Sequence, residues 1–208
     1  MSGAAVFTGI AGRYDTVNRI LSLGRDRAWR RAAIAHLPRG RVLDLGAGTG
    51  AADADMGDRE VVALDPAVEM LRLNRRQCRV AGVGESLPFR DGAFDGVFSA
   101  YVFRNLSSVA GTLGEIRRVL RPGGVAAIVD LGRPRGRVAR VVHRSGTAMV
   151  VPLVGMLAGA RREYVYLHRS LDALPPPEDM FSEGDWRVEA MWRMGLLGFV
   201  YGVVLRKE

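Results

Sequence analysis

A strand that runs into a glycine-rich turn is the feature of this chain with the clearest chemistry. Residues 41–45 read as a buried strand that carries Asp44 near its end. The turn that follows contains Gly46, Gly48 and Gly50. Because glycine has no Cβ, backbone N–H groups there can approach a ligand closely. Asp65 ends the next apolar segment, and its carboxylate could accept hydrogen bonds from both hydroxyls of a ribose. These residues predict a nucleoside-containing cofactor across the carboxyl ends of a parallel sheet.

The spacing and charge of this turn bear on which nucleoside it binds. A dinucleotide site has the pattern G-x-G-x-x-G and a helix N-terminus directed at a pyrophosphate. Here the pattern is G-x-G-x-G, preceded by Asp44. A carboxylate repels a pyrophosphate and suits a cationic ligand with an amino group and a sulfonium. The string resembles the signature of class I S-adenosylmethionine (SAM) methyltransferases; the alternative is a tight strand–helix turn without a ligand.

The elements that must position these residues alternate along the chain. Helices are predicted over residues 14–23, 25–37, 49–56, 66–76 and 107–120, and strands over 41–45, 60–64, 78–81, 94–99 and 125–131. Two further strands, 186–194 and 197–205, are joined by a turn at Gly195. This order predicts a single α/β domain over 1–208 with a seven-stranded, Rossmann-like sheet. We expect the first five strands to be parallel and the last two to form an antiparallel hairpin. Residues 1–40 are expected to form a helical cap that precedes the sheet in the sequence.

Composition narrows the possible partners. The chain has 208 residues and a formal net charge of +8, which would attract phosphates or anionic lipid head groups. Its basic residues are spread along the chain and not clustered with aromatic ones, so we expect no nucleic-acid partner. Cys78 is the only cysteine and no segment fits a signal peptide, so we expect a cytoplasmic protein. His36, His143 and His168 lack the spacing of metal ligands, and no metal is expected.

The segment 132–174 interrupts the alternation. It begins with five arginines and then carries no charge over 145–160, where Pro152 stands. That stretch is too short and broken to span a membrane. It could be a buried helix pair. It could also be a lid that admits a lipophilic substrate and touches the bilayer, with its arginines on lipid phosphates.

Several motifs occur together in one known family. They are Tyr14-Asp15-x-x-Asn18, Glu85-Ser-Leu-Pro-Phe89, Arg104-Asn105-Leu106 and Arg121-Pro-Gly-Gly124, before an apolar last strand. The chain therefore resembles the ubiquinone/menaquinone biosynthesis C-methyltransferases. The resemblance implies methyl transfer from SAM to a ring carbon of a polyprenylated hydroquinone such as demethylmenaquinol. The chain departs from the family's usual residues at three places. It has Asp26 where the family usually has His, and Asp130-Leu-Gly132 where the family usually has Glu-x-Ser. It has Val83 where the family usually has an Asp that contacts adenine.

The resemblance also implies roles for individual residues. The cofactor residues are expected to be Asp44, Gly46, Ala47, Gly48, Gly50, Asp65, Pro66, Gly84, Glu85 and Ser99. Arg104 is expected to stabilise a phenolate, with Asn105 on the same oxygen and Tyr14 closing over the site from the cap. Arg104 and Asn105 could instead bind the following helix, and Tyr14 could be a core aromatic. Asp130 is interpreted as a turn residue in preference to an acid/base group.

Other functions stay open at this point. The acceptor could be another small lipophilic molecule. An RNA methyltransferase is favoured only by the net charge. A SAM-binding protein without activity is favoured by Val83 and by the short helix predicted over 49–56. A homodimer and peripheral contact with an anionic membrane are also compatible with the sequence.

Overall fold

The apolar segments form one sheet in the computed structural model, which describes residues 22–157, 171–172, 174–181 and 185–208. Its strands are β1 (Arg41–Leu45), β2 (Glu60–Asp65), β3 (Arg79–Ala81), β4 (Phe94–Ala100), β5 (Leu120–Leu131), β6 (Trp186–Met194) and β7 (Val200–Lys207). The order is β3-β2-β1-β4-β5-β7-β6. The first five strands are parallel, and β7 is antiparallel to both β5 and β6. The predicted fold class is confirmed.

Helices cover both faces of this sheet. They are α1 (Asp26–Ile34), α2 (Val68–Leu73), α3 (Val109–Val119), α4 (Arg137–Leu157) and α5 (Pro177–Met180). Three 3-10 turns lie at Asp53–Asp55, Phe103–Asn105 and Leu196–Gly198. Successive residues of the central strands enter opposite cores: Val97 packs with Ile116 beneath α3, whereas Phe98 packs with Trp29 beneath α1. Two buried faces explain why these strands read as continuous apolar runs.

The strand register determines which residues meet at the carboxyl edge. Leu45 of β1 pairs with Leu64 of β2 and with Ser99 of β4. Asp65 therefore ends β2 directly beside the glycine-rich turn that leaves β1. Chain segments far apart in sequence meet there because parallel strands end at the same edge of a sheet.

The helix predicted over 49–56 is wrong. After the turn, the chain forms only the 3-10 turn Asp53–Asp55. Gly50 has a φ of +88°, and a Cβ there would lie 2.5 Å from Oδ2 of Asp53. Gly57 has a φ of +63° and leaves the helical region again. The positive φ values of these two glycines take the backbone out of the right-handed helical region at both ends of the segment.

Two other element boundaries differ from the prediction. The helix predicted over 66–76 is reduced to α2, because Asn74 turns the chain out of the helix and donates from Nδ2 to the Gly48 carbonyl at 3.4 Å. The last strand begins at Val200, three residues later than predicted. Leu197 adopts a φ of 59° within the preceding 3-10 turn, a conformation that an extended strand cannot contain.

The predicted cap and lid are described only in part. The first cap helix, and Tyr14 with it, lies outside the described residues except for its last two positions. The second is confirmed as α1. Within the lid, α4 carries exposed Val138, Val141 and Val142 on its first turns, so this described part is not a buried helix. None of the helices in the described part of the chain is both long and apolar enough to span a membrane.

Candidate active site

A cavity opens at the carboxyl edge of the sheet, where β1, β2 and β4 end. Nine predicted site residues line it: Asp44, Gly46, Ala47, Gly48, Asp65, Pro66, Gly84, Glu85 and Asn105. The lining formed by the described residues does not include Gly50, Ser99 or Arg104. The structure therefore brings most of the predicted cofactor site together.

The glycine-rich turn folds back over β2. The N–H groups of Gly46 and Ala47 both donate to the carbonyl oxygen of Leu64, at 2.8 and 3.0 Å. Gly46 has a φ of +77°, and a Cβ at this position would collide with the side chain of Val102. Glycine is required here by backbone conformation and by space together. The turn lies at the cavity, as its spacing predicted. Its N–H groups at 46, 47 and 48, which were expected to approach a ligand, donate to Leu64 and Asp65 instead.

Asp65 is held in one orientation by the backbone. Its Oδ2 accepts from the N–H of Gly48 at 2.9 Å, and its Oδ1 accepts from the N–H of Ala67 at 2.8 Å. Each carboxylate oxygen has a further lone pair, so two hydroxyls can still bind. Burial raises the pKa of Asp65, and the two backbone hydrogen bonds oppose that shift. The geometry fits the ribose role predicted for this residue.

Asp44 is a buried carboxylate beside the turn. It is 2% exposed, and its Oδ2 has no hydrogen-bond partner among the described residues. Burial, followed by the charges of Asp53 and Asp65, raises its pKa from 3.8 to about 7, while Arg76 and Arg30 lower it. An unpaired buried carboxylate is stabilised by a cationic group placed against it. The site therefore fits a ligand with an ammonium or sulfonium group.

The part of the cavity wall that is expected to contact the adenine of the cofactor follows β3. Val83 is 46% exposed and lines the cavity next to Gly84 and Glu85. A Cβ on Gly84 would lie 2.9 Å from Cγ2 of Thr112, so the backbone packs tightly against α3. The Glu85 carboxylate accepts from the N–H of Ser107 at 2.6 Å, which supports the loop before α3. At position 83 this wall has an apolar side chain, where the family usually has an acidic one.

Two predicted cofactor residues support the site from behind it. Ser99 is fully buried, and its hydroxyl donates to the carbonyl oxygen of Leu45 at 3.2 Å, which joins β4 to β1. Gly50 closes the turn against Asp53 and Asn74. Both positions shape the backbone around the cavity.

Arg104 forms a buried ion pair with Asp130. Its Nη1 lies 3.0 Å from Oδ1 of Asp130, and the two side chains are 5% and 0% exposed. Asp130 also accepts from the backbone N–H groups of Phe103 and Leu131, each at 2.7 Å. It pairs with Tyr201 within the ladder of β5 and β7, so its interpretation as a turn residue is wrong. The pair anchors the 3-10 turn after β4 to the sheet.

Asn105 was predicted to contact the methyl acceptor, and it lines the cavity. Its Nδ2 donates to the carbonyl oxygen of Tyr101 at 3.3 Å. Its Oδ1 is buried and has no hydrogen-bond partner among the described residues. A buried polar atom without a partner costs about 1–3 kcal/mol, which favours a ligand group at this place.

Several lining residues were not assigned to the site from the sequence, among them Asp26, Arg30 and Tyr101. Asp26 and Arg30 are four residues apart on α1 and form an ion pair of 2.9 Å. The departure from the family's His at position 26 was a signal for this wall. Tyr101 stands directly after β4 with a φ of 63°, and nothing in its sequence neighbourhood marks that conformation. In the described residues, no group of three potential metal ligands comes together.

Comparison with known proteins gives a consistent result. Residues 2–184 match the model of the ubiE/COQ5 methyltransferase family. A demethylmenaquinone methyltransferase of Thermus thermophilus is 38% identical over 190 residues, which cover 83% of this chain and 86% of that protein. One of a Roseiflexus species is 38% identical over 189 residues, covering 84% and 79%. A SAM-dependent methyltransferase structure from Thermotoga maritima superposes with a TM-score of 0.66 at 15% identity, covering 99% and 100%. That last likeness concerns the fold alone.

Proposed function

Since the chain belongs to the ubiE/COQ5 methyltransferase family, we propose that it methylates a ring carbon of a polyprenylated hydroquinone, with demethylmenaquinol as the first candidate. The observation that carries this proposal is a cavity built from family motifs, in a chain whose relatives are named demethylmenaquinone methyltransferases. The family and the fold use SAM as methyl donor. The identity of the methyl acceptor goes beyond what the family and the fold show.

The residues of the carboxyl edge divide the work of holding the cofactor. Asp65 accepts the ribose hydroxyls, and Gly46, Ala47 and Gly48 of the glycine-rich turn line the same cavity. Asp44 provides negative charge for the amino and sulfonium end. When bound, SAM supplies a methyl group that its sulfonium has already activated. The protein must therefore align the acceptor and make its ring carbon nucleophilic.

A hydroquinone becomes nucleophilic when one hydroxyl loses its proton and the charge spreads into the ring. The protein has to stabilise that oxygen while the carbon attacks. Direct contact with Arg104 would require its guanidinium to leave a buried ion pair with Asp130. We assign Arg104 instead to positioning: it fixes the turn that places Asn105 in the cavity wall. Tyr14 keeps its predicted role in closing the cap over the site.

The surface of α4 supports contact with an anionic membrane. Its exposed valines at 138, 141 and 142 lie at the spacing of one helix face. Arginines at 137, 140 and 144 lie on the same turns. Apolar side chains that enter the lipid interface beside arginines that bind phosphates are the pattern of an interfacial helix. A lipophilic acceptor dissolved in the bilayer would then reach the cavity from the membrane side.

The direct test is transfer of labelled methyl. Purified protein is incubated with methyl-labelled SAM and a short-chain demethylmenaquinol kept reduced. We expect label on the ring of the quinol. Absence of label, with SAM binding intact by calorimetry, would contradict the quinol assignment and direct the search to other lipophilic acceptors. RNA incubated in parallel serves as the control for an RNA methyltransferase, and label there would favour that alternative.

A further inference from the structure

The cavity lining contains a set of polar side chains besides the carboxylates of Asp44 and Asp65. This set is formed by Arg30 of α1, Tyr101 after β4 and Asn105 of the following 3-10 turn. We call these three residues the polar wall. They come from two separate stretches of the chain, and neither the cofactor role of the carboxylates nor the sheet core accounts for them.

Arg30 is fixed in this wall by Asp26. The ion pair between Nη2 of Arg30 and Oδ2 of Asp26 measures 2.9 Å, and the side chains are only 10% and 13% exposed. The hydroxyl of Ser22 donates to Oδ1 of Asp26 at 3.0 Å. The charge of Arg30 lowers the pKa of both Asp44 and Tyr101, so the guanidinium influences both groups.

Tyr101 is held in an uncommon backbone conformation. Its φ of 63° is rare for a residue with a bulky side chain. Its N–H donates to the carbonyl oxygen of Val129 at 2.8 Å, which ties the residue to β5. Burial raises the pKa of the phenol above its usual range, so the hydroxyl stays protonated and can donate a hydrogen bond. Such a conformation persists where the surroundings demand it, and binding sites are common among those places.

The polar atoms of the wall form a complementary set. Nε of Arg30, the hydroxyl of Tyr101 and Oδ1 of Asn105 are all buried, and within the described residues none has a hydrogen-bond partner. Two of these atoms are donors that suit an oxyanion, and the third is an acceptor that suits a hydroxyl. A hydroquinone that has lost one proton presents one oxyanion and one hydroxyl.

We propose that Tyr101 and Arg30 are catalytic residues that donate hydrogen bonds to the ionised oxygen of the acceptor, while Asn105 accepts from its remaining hydroxyl. This inference rests on the proposed function. The hydroxyl proton is first lost to solvent. The ring carbon then forms the new C–C bond as the methyl–sulfur bond breaks and leaves its electron pair on sulfur. Loss of the proton from that carbon restores the aromatic ring.

The test compares two tyrosines. Tyr101→Phe removes only the proposed donor, and kcat for the quinol is expected to fall roughly 100-fold, as for loss of one oxyanion donor. Tyr201→Phe is the matched control, because Tyr201 is a fully buried tyrosine outside the described cavity lining, whose hydroxyl also has no partner among the described residues. It is expected to leave kcat unchanged. Arg30→Lys keeps the charge and removes Nε, and is expected to lower kcat as well.

A second readout does not depend on turnover. The probe 4-nitro-1-naphthol absorbs visible light when ionised, so its spectrum reports its pKa in the bound state. Wild type is expected to lower that pKa, and Tyr101→Phe to reverse most of the shift while Tyr201→Phe does not. If wild type methylates the quinol and Tyr101→Phe equals it in kcat and in the probe's pKa, the inference is overturned and the proposed function stands. If wild type methylates no quinol, the proposed function fails, and the probe alone decides whether the wall binds an oxyanion.

Discussion

Asp44→Asn is expected to make the SAM-free protein more stable. The pKa of Asp44 in the folded protein is about 7, against 3.8 for the ordinary side chain, mainly because the carboxylate is buried. The protonated form therefore favours folding; this contribution is fully present below about pH 4 and is lost as pH rises through about 7. A shift of this size corresponds to about 4 kcal/mol. Asparagine cannot ionise, so the variant should gain up to that amount at about pH 8.

The same substitution is expected to weaken SAM binding. An ionised Asp44 attracts the cationic end of the cofactor, and a protonated one does not. For wild type, titration of Asp44 alone should raise the apparent Kd roughly eightfold between about pH 7.5 and pH 6, a range in which the cofactor's sulfonium keeps its charge. Asp44→Asn should bind more weakly and lose this dependence. Asp53→Asn removes a charge that raises the pKa of Asp44, so it should move the midpoint to lower pH while binding persists.

Two measurements check this reasoning. Urea unfolding followed by tryptophan fluorescence, at about pH 5 and about pH 8, gives the free energy of unfolding of each variant. Calorimetry at several pH values gives the Kd for SAM. Asp44→Asn that is less stable than wild type at the higher pH would show that the buried carboxylate does not oppose folding. If Asp44→Asn binds SAM with the affinity and the pH dependence of wild type, Asp44 does not attract the cationic end of the cofactor.

Three further predictions concern separate parts of the molecule. Asp65→Ala should weaken SAM binding by about 1.5–3 kcal/mol, measured by calorimetry, and unchanged affinity would contradict the ribose role. Arg104→Ala should lower the free energy of unfolding by about 3–5 kcal/mol, because Asp130 is left as an unpaired buried charge; a denaturation midpoint equal to wild type would contradict the buried pair. Val141→Asp should reduce sedimentation with anionic vesicles without changing SAM affinity, and equal sedimentation would argue against α4 as the membrane contact.

The sequence predicted the parts of the site that depend on local spacing. Gly46 and Gly48 lie where they do because a turn after a buried strand needs positive φ values, and that need is visible in the sequence. Asp65 was predictable because it ends the neighbouring strand. The same reasoning placed the helix 49–56 wrongly, since whether residues after a turn become helical depends on what the turn packs against.

The other wall of the cavity depends on contacts across the fold. Arg104 and Asp130 are 26 residues apart in the sequence. They pair because β4 and β5 are adjacent in the sheet, and the types of the two side chains do not reveal that adjacency. Tyr101 takes its conformation from a hydrogen bond to β5. Arg104 was predictable as a site residue because it belongs to a recognisable family motif. Arg30 and Tyr101, which line the cavity, do not belong to that motif.

The cavity lining carries groups that suit a cation and groups that suit an anion, and this combination fits the proposed reaction. Asp44 and Asp65 supply carboxylates for a cationic group. Arg30, which is paired with Asp26, and the protonated hydroxyl of Tyr101 supply hydrogen-bond donors for an anionic group. Each set is unfavourable by itself, because buried charges and unpaired polar atoms oppose folding. A cationic methyl donor beside the carboxylates and an anionic acceptor beside the donors offset both costs. Because the two charges attract each other across a buried site, binding of either reactant should favour binding of the other.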